Sequence, residues 1–381
     1  MTARERLSLL TDALRRHTAL GLKPLTAPVI IFIPLGFLLG PWGTAVVSQE
    51  ALAHLDVVVT IGLAILGVFI GVAAGREGRA VRRLFAASTL EAAITIAVVG
   101  GALLVLLGQW RLPLDMAPLI ASLTLGVCAS ASAASLTTLG DAHDRQIAAR
   151  VADLDDVLPI VLSGVVIGLA LFGPRGALVS AVVAIALGLG IGACGWLLFE
   201  RAESAAERGV FVIGALALLG GSAGYAGASP LLTGMTAGWF WVAAPGDADR
   251  LMADDLRKLQ HPLVVLLLIT AGASLEPSRA GLWLFAPYVV FRLAGKVIGG
   301  WAASRVAPGV APSDLGAYLI PPGVIGVAFA LNVAQVAPSM AGTLVFAVSA
   351  GAIACELIAL VLTPHPESAL TRGSPDATGP V

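Results

Sequence analysis

Apolar stretches of close to 20 residues recur along the whole chain of 381 residues, and they constrain its fold more than any other feature. A helix of about 20 residues spans the hydrocarbon core of a bilayer, in which every backbone polar group needs an internal partner. Charged residues make up only 12% of the chain, too few to cover a soluble surface. The apolar runs are continuous rather than alternating, which favours helices over a membrane barrel. We therefore predict an all-α polytopic membrane protein.

The hydropathy pattern predicts about twelve transmembrane helices between polar tails at 1–25 and 364–381. The twelve spans are 26–47, 51–74, 84–108, 115–139, 147–173, 175–199, 208–226, 229–245, 259–275, 280–302, 314–336 and 340–363. Eighteen basic residues lie in the tails and in or near the loops after even-numbered spans, and three lie in or next to the loops after odd-numbered spans. Because basic residues are enriched on the cytoplasmic side, we expect both termini in the cytoplasm and the protein in the plasma (inner) membrane.

Several functional classes find no support in the composition. The three cysteines, Cys128, Cys194 and Cys355, fall in apolar segments without the spacing of a metal site. The net charge of −1 gives no basic surface for nucleic acid. The first 25 residues are too polar for the apolar core of a signal peptide, and the tail after Pro364 is too short for a regulatory domain. We expect no enzyme, no catalytic residues and no cofactor.

Charged residues inside the predicted spans are the main functional candidates, because a charge at bilayer depth is costly and usually functional. They are Glu91, Asp153, Asp155, Asp156, Arg292, Lys296 and Glu356. The segment "LDDVLPIVL", residues 154–162, allows two interpretations. The acids could cap a helix at the membrane surface, where the helix dipole favours negative charge, or they could form a site within the membrane.

Depth favours a site within the membrane. Asp155 and Asp156 follow the cytoplasmic Arg145 by 10 and 11 residues, and Lys296 precedes the cytoplasmic Arg305 by 9 residues. The three side chains are therefore expected at a matching depth of roughly 13–17 Å along antiparallel helices. A Lys–Asp pair would lower the cost of burial, although the lysine could instead extend towards the cytoplasm. Adjacent helical residues point about 100° apart, which suits one paired carboxylate and one carboxylate free for a hard cation or a proton.

Two spans contain segments that break a helix near its middle. Span 4 contains "CASASAAS", residues 128–135, and span 11 contains "LIPPGVIG", residues 319–326. Pro321, Pro322 and Gly323 remove donors and loosen the backbone. Discontinuous helices in corresponding positions of two halves point to a transporter site, although a simple kink or tight packing of small residues is the alternative. Together with free carbonyl groups, the side chains of Asp156 and of Ser130 or Ser132 could coordinate Na⁺.

The order and spacing of six motifs resemble the monovalent cation:proton antiporters of the sodium/proton exchanger (NhaA/NapA) type. The motifs are "IPLGFLLGPWG" (33–43), "LTLGVCASASAASLTTLGD" (123–141), "LDDVLPIVL" (154–162), "LITAGASLEPSRAGLW" (268–283), "FRLAGKVIGGW" (291–301) and "LIPPGVIGVAFAL" (319–331). The resemblance runs from about residue 30 to 363. It implies two inverted five-helix repeats, crossed discontinuous helices 4 and 11, and elevator-type alternating access.

The resemblance also implies a division into functional units and a homodimer. Core helices 3–5 and 10–12 would be residues 84–173 and 280–363, and linking helices 6–7 would be 175–226. Dimerisation or panel helices 1–2 and 8–9 would be 26–74 and 229–275.

The resemblance assigns roles to the charged residues. Asp156 would bind the transported cation (Na⁺, Li⁺ or K⁺) or a proton, and Asp155 would pair with Lys296. Paired aspartates are the family's pattern for electrogenic exchange.

The chain departs from that pattern in several places. Ala131 and Ser132 stand where the family often has Thr-Ser, Pro159 follows the acids, and Glu91 replaces a common Gln. Glu356 has no role in the family. Arg292 lies one turn from Lys296 on the same helix face. It is therefore a second cation at membrane depth near the site, and we expect it to pair with Glu356.

Three other functions remain open from the sequence. A sodium-coupled organic solute symporter of the same architecture would not need two aspartates and an antiparallel lysine. A potassium/proton antiporter would more usually carry Gln-Asp and a nucleotide-binding domain. A membrane sensor or scaffold that transports nothing would leave the charges within the membrane without a role.

Overall fold

The computed structural model describes residues 28–80, 82–110, 118–133, 142–246, 248–308 and 310–362. The predicted tails, 1–25 and 364–381, and the end of predicted span 4 at 134–139 lie outside these residues. The described residues form helices joined by turns and short extended segments, with a single isolated β-bridge. The predicted all-helical membrane class is confirmed.

The described part of the chain contains helices that overlap every predicted span, several of them only in part. They are α1 (Pro28–Leu39), α2 (Gln49–Ala80), α3 (Arg82–Trp110), α4 (Pro118–Ser130), α5 (Ala142–Asp155), α6 (Val157–Arg201), α7 (Ala205–Tyr225), α8 (Pro230–Ala243), α9 (Ala248–Ala273), α10 (Arg279–Val306), α11 (Leu315–Tyr318), α12 (Val324–Val336) and α13 (Pro338–Leu362). Among the described residues, six helical stretches are long and apolar enough to cross a membrane, and four shorter helices are apolar. The number of crossings remains a prediction.

Helix α6 is a hairpin rather than one rod. Its only non-helical residue is Gly173, with φ 69° and ψ −166°, a conformation that side chains with a Cβ rarely adopt. The two halves of α6 pack against each other. A Cβ on Gly168 in the first half would lie 2.6 Å from the carbonyl oxygen of Gly176 in the second half. The turn falls where the sequence separates spans 5 and 6, next to Pro174.

Helices α2 and α8 pack so closely that their backbones touch. A Cβ on Gly67 or Gly71 of α2 would collide with the carbonyl oxygen of Leu231 or Met235. In α8, Gly234 and Gly238 meet the backbone of α2 in the same way. The spacing of four residues on both helices is the small-xxx-small pattern that membrane helices use to approach each other.

Helices α3 and α10 also approach closely, and their contact positions the buried charges. Gly295 and Gly299 of α10 face Thr95 and Glu91 of α3, and a Cβ on Gly299 would lie 2.8 Å from the carbonyl oxygen of Glu91. Lys296, between the two glycines, is thereby placed beside α3. Towards the predicted cytoplasmic side, a cluster of buried apolar side chains from α3, α5, α10 and α11 packs these helices together.

The close packing of α2 on α8 predicts the effect of one added methyl group. Gly71→Ala should lower the thermal unfolding temperature of the purified protein, because overpacking costs about 1–3 kcal/mol. Gly190→Ala is the matched control, since nothing lies within 4 Å of a Cβ there. The control should be neutral or slightly stabilising, as alanine is the better helix former. Equal stability of the two variants would contradict the observed packing.

Candidate functional site

The two predicted broken segments cross and pair with each other. Helix α4 ends at Ser130, and the chain continues extended through residues 131–133. Ser132 forms an isolated antiparallel bridge with Pro322, and the backbone N–H of Ala133 donates to the carbonyl oxygen of Pro321 at 3.0 Å. The ends of α4, α11 and α12 therefore meet at one point within the helical bundle.

Sequence explains why the second segment cannot stay helical. Pro321 and Pro322 have no N–H to donate, and a proline disfavours helical conformation in the residue before it. Gly323 then allows close approach, because a Cβ there would lie 2.8 Å from the carbonyl oxygen of Ser132. The tight packing expected of small residues is present here together with the break.

Arg292 binds the carbonyl groups that the broken helices leave without partners. Its Nη1 donates to the carbonyl oxygen of Ala129, and its Nη2 donates to those of Ala131 at 3.1 Å and Ile320 at 3.3 Å. The expected ion pair with Glu356 is wrong: no ion pair joins the two side chains within the described part of the chain. The guanidinium lies at helix C-terminal ends, where partial negative charge accumulates.

Lys296 lies at the centre of the site and is fully buried. Its Nζ lies 3.3 Å from Oδ2 of Asp155 and 3.1 Å from Oε1 of Glu91, and it also donates to the carbonyl oxygen of Ser130. The alternative in which the lysine extends to the cytoplasmic surface does not hold. One cation therefore joins α3, α4, α5 and α10.

Glu91 contacts Lys296 more directly than the sequence indicated. Its Oε1 also accepts a hydrogen bond from Thr95 Oγ1 at 2.9 Å, and the side chain is fully buried. The sequence contains a signal for this contact. Glu91 follows Arg82 by 9 residues, and Lys296 precedes Arg305 by 9, so the same depth argument applies.

The two aspartates differ in their contacts. Asp155 Oδ2 accepts a hydrogen bond from Ser132 Oγ at 2.6 Å and contacts Lys296, whereas no residue in the described ranges donates to its Oδ1. Asp156 is 3% exposed, and its Oδ1 likewise has no hydrogen-bond donor among the described residues. The site thus holds two buried carboxylate oxygens that no donor satisfies.

The helix is interrupted at the two aspartates, where α5 ends at Asp155 and α6 begins at Val157. Pro159 lacks the N–H that would bond the Asp155 carbonyl, which accounts for the break between the two helices. Asp156 keeps helical angles, φ −76° and ψ −19°, and Ile160 N–H bonds its carbonyl oxygen at 3.1 Å. The Asp156 side chain makes no capping hydrogen bond, so the capping interpretation does not account for this residue.

The other candidates lie at the edge of the site or away from it. The Ser130 hydroxyl donates to the carbonyl oxygen of Val127 at 2.8 Å, so this side chain turns back onto its own helix. Asp153 is exposed, and Glu356 is half-buried on α13. No group of three or more His, Cys, Asp or Glu residues that could hold a metal ion occurs in the described residues.

A second polar cluster, which sequence reasoning missed, lies beyond the aspartates. Ser163 lies two helical turns after Asp156, and its Oγ is 3.4 Å from Oγ of Ser229 at the start of α8. Asn332 of α12 donates to the same Ser229 oxygen at 3.0 Å, and its own Oδ1 accepts no hydrogen bond from described residues. One turn further along α12, Gln335 donates to Thr60 Oγ1 of α2 at 3.1 Å.

Crossed discontinuous helices beside buried charges are the arrangement that secondary transporters use at the bilayer midplane. The solved structure of the sodium proton antiporter MjNhaP1 from Methanocaldococcus jannaschii at pH 8 is similar to this chain, with a TM-score of 0.59. The similarity covers 93% of this chain and 94% of that chain at 16% sequence identity. It confirms the predicted antiporter fold, whereas the inverted repeats remain a prediction. No protein family profile and no curated protein sequence matches the chain.

The buried position of Lys296 predicts a large loss of stability in Lys296→Gln. Removing one partner of a buried ion pair leaves uncompensated charge and costs about 3–5 kcal/mol. Arg305→Gln is the control, because Arg305 lies near the end of α10, where its guanidinium stacks 4.6 Å from the Trp301 ring centroid. Thermal unfolding in detergent should show a marked decrease for the first variant only. A Lys296→Gln protein as stable as wild type would contradict the buried ion cluster.

Proposed function

We propose that this protein is a secondary-active antiporter that exchanges a monovalent cation, expected to be Na⁺, for protons across the plasma membrane. The observation that carries the proposal is the pair of buried, unsatisfied carboxylate oxygens on Asp155 and Asp156 beside the crossed helices. Small hard cations take oxygen ligands, and carboxylates also bind protons. The similarity of fold to a sodium proton antiporter supports the same function. In this proposal the protein is a transporter and needs no cofactor.

Competition for the same oxygens couples the two ions. Two adjacent carboxylates in a medium of low dielectric cannot both carry unbalanced charge cheaply, so the site holds either protons or a cation. Asp156 is the expected main ligand. Ser132 Oγ, which donates to Asp155, orients the neighbouring carboxylate. An empty, fully charged site is the costly state, so one ion leaves only when the other replaces it.

Exchange of more than one proton per cation would move net charge across the membrane. Each elementary charge moved across 100 mV is worth roughly 2.3 kcal/mol, so the membrane potential would drive electrogenic exchange. Such exchange lets a cell expel sodium and regulate its internal pH, which is the proposed physiological role.

The second polar cluster, formed by Ser163, Ser229, Asn332, Gln335 and Thr60, lies on the predicted extracellular side of the aspartates and suggests how alternating access is controlled. In the proposed division, Asn332 and Ser163 belong to the core, whereas Ser229 and Thr60 belong to the panel. The hydrogen bonds of Asn332 with Ser229 and of Gln335 with Thr60 therefore cross between the two units. An elevator movement of the core has to break these bonds. They would close the extracellular route to Asp156 in the conformation described.

The proposed panel also forms the surface through which two copies would associate in the bilayer. The close α2–α8 contact gives this unit a rigid backbone frame. A rigid, dimerised panel would provide the fixed support that an elevator movement requires.

Asp156→Asn tests the transport site. The variant should fold normally but lose cation-driven proton release to the level of empty liposomes, because an amide cannot exchange a cation for a proton. Purified protein in proteoliposomes with a pH-sensitive dye should be tested with Na⁺, Li⁺ and K⁺ separately. Asp153→Asn is the matched control, since Asp153 is an exposed acid three residues earlier.

The cation that drives proton release in wild type identifies the substrate, and a response to K⁺ alone would indicate a potassium/proton antiporter. Normal exchange by Asp156→Asn would refute the assignment of the site. No proton release from folded wild-type protein with any of the three cations would favour a sodium-coupled solute symporter.

If the hydrogen bonds of Asn332 help to close the extracellular route, a cysteine placed in that route should be labelled faster in Asn332→Ala than in the protein with Asn332 intact. The reporter is Ser163→Cys in a background in which Cys128, Cys194 and Cys355 are replaced by Ser or Ala. An impermeant maleimide is added from the outside, and the rate of labelling of the reporter is measured. Loss of a hydrogen bond worth about 1 kcal/mol should raise the open fraction about fivefold. Thr270→Ala is the control, because that hydroxyl donates to the Leu266 carbonyl within its own helix α9. Unchanged labelling in Asn332→Ala would contradict the closure.

A further inference from the structure

Lys296 has two carboxylate partners, and the nearer one is not an aspartate of the predicted site. Its Nζ lies 3.1 Å from Oε1 of Glu91 and 3.3 Å from Oδ2 of Asp155. We propose that Glu91 is the resident counter-ion of Lys296, and that Asp155 is thereby left available as a second carboxylate ligand of the transported monovalent cation. The inference rests on the proposed antiport function and concerns the same site.

The contacts of Glu91 are those of a fixed structural partner. Oε1 accepts from Thr95 Oγ1 at 2.9 Å, and Oε2 accepts from Lys296 at 3.2 Å, so both carboxylate oxygens are used. The side chain also lies under the close contact of α3 with Gly299, where a Cβ would come within 3.3 Å of Glu91 Cγ. Glu91 therefore uses both of its oxygens, and its side chain packs against Gly299 of the helix that carries the lysine.

The contacts of Asp155 are those of a ligand with one free oxygen. Oδ2 holds Ser132 Oγ and Lys296, whereas Oδ1 is buried and has no donor in the described part of the chain. Asp156, the next residue, presents an oxygen in the same condition. A cation bound by both carboxylates would supply the partner that each of these oxygens lacks among the described residues.

The charge balance of the cluster gives the same assignment. Three buried acids, Glu91, Asp155 and Asp156, face two buried cations, Lys296 and Arg292. The observed hydrogen bonds of Arg292 all go to backbone carbonyls. If Glu91 neutralises Lys296, the pair of aspartates retains enough negative charge to attract a monovalent cation strongly. Without Glu91, the lysine would cancel the charge of Asp155.

Glu91→Gln tests this role because glutamine keeps the size and one of the two acceptor oxygens but removes the charge. With the cation that drives exchange in wild type, the KM should rise by about tenfold or more, because Lys296 then opposes the cation at short range. The maximal rate should change little, since Asp156 is still present. Glu91→Asp should restore much of the affinity. Glu276→Gln, which removes an exposed acid between α9 and α10, is the control and should leave KM unchanged.

The double variant Glu91→Gln/Lys296→Gln provides the decisive comparison. Removal of the neutral pair as a unit should return KM towards wild type and should restore part of the stability lost in Lys296→Gln. Such coupling would identify the two residues as one ion pair. Thermal unfolding of every variant, with and without the cation, would separate altered binding from misfolding and would report binding without transport.

Two failures are distinguishable. If wild-type proteoliposomes release no protons with any cation, the proposed antiport function is refuted. If wild type exchanges ions but Glu91→Gln keeps the wild-type KM and the wild-type cation-dependent thermal shift, the antiport function stands and the role of Glu91 is refuted. A KM defect in Glu91→Gln that Glu91→Asp does not improve and that the double variant makes worse would also overturn the ion-pair assignment.

Discussion

The buried ammonium group of Lys296 is the charge on which the rest of the site depends. A positive charge at bilayer depth is tolerated only where acids and carbonyl groups surround it. Glu91, Asp155 and the carbonyl oxygen of Ser130 supply that environment from three different helices. The lysine therefore fixes the relative positions of α3, α4, α5 and α10. The glycines of α10 on either side of it let the helices come close enough for these contacts.

In the candidate site, each group that lacks a partner or carries a charge is balanced by a neighbouring group. The prolines after α11 and the break after α4 leave carbonyl groups without helical partners, and Arg292 satisfies three of them. The positive charges at the crossing in turn require acids nearby. Once Glu91, Ser132 and Lys296 have made their contacts, one oxygen on each aspartate is left without a donor. In the proposed mechanism, a proton and the transported cation bind alternately to these two oxygens.

Sequence alone predicts the features that follow from depth, periodicity and backbone chemistry. The matching depth of Asp155 and Lys296, the break at Pro321 and Pro322, and the boundary between spans 5 and 6 all follow from such local rules. The partner of Arg292 could not be predicted, because backbone carbonyls at a helix crossing are not visible in a list of side chains. The sequence identifies Glu91 as a charge within a predicted span, but its contact with the lysine depends on how α3 rotates against α10. The link from Ser229 to Asn332 likewise requires knowledge of which helices are neighbours.

The two kinds of helix contact in this fold differ in their capacity to move. The α2–α8 contact is made backbone to backbone, with glycines that leave no gap, so a shift of either helix would produce collisions along its length. Between α8 and α12, by contrast, Asn332 donates a hydrogen bond to Ser229, and the side-chain Oδ1 of Asn332 accepts no hydrogen bond from the described residues. Such a polar contact can be exchanged for water at little cost. The packing therefore places rigidity within the proposed panel and a separable seam along its border with the proposed core, which is the arrangement that an elevator movement needs.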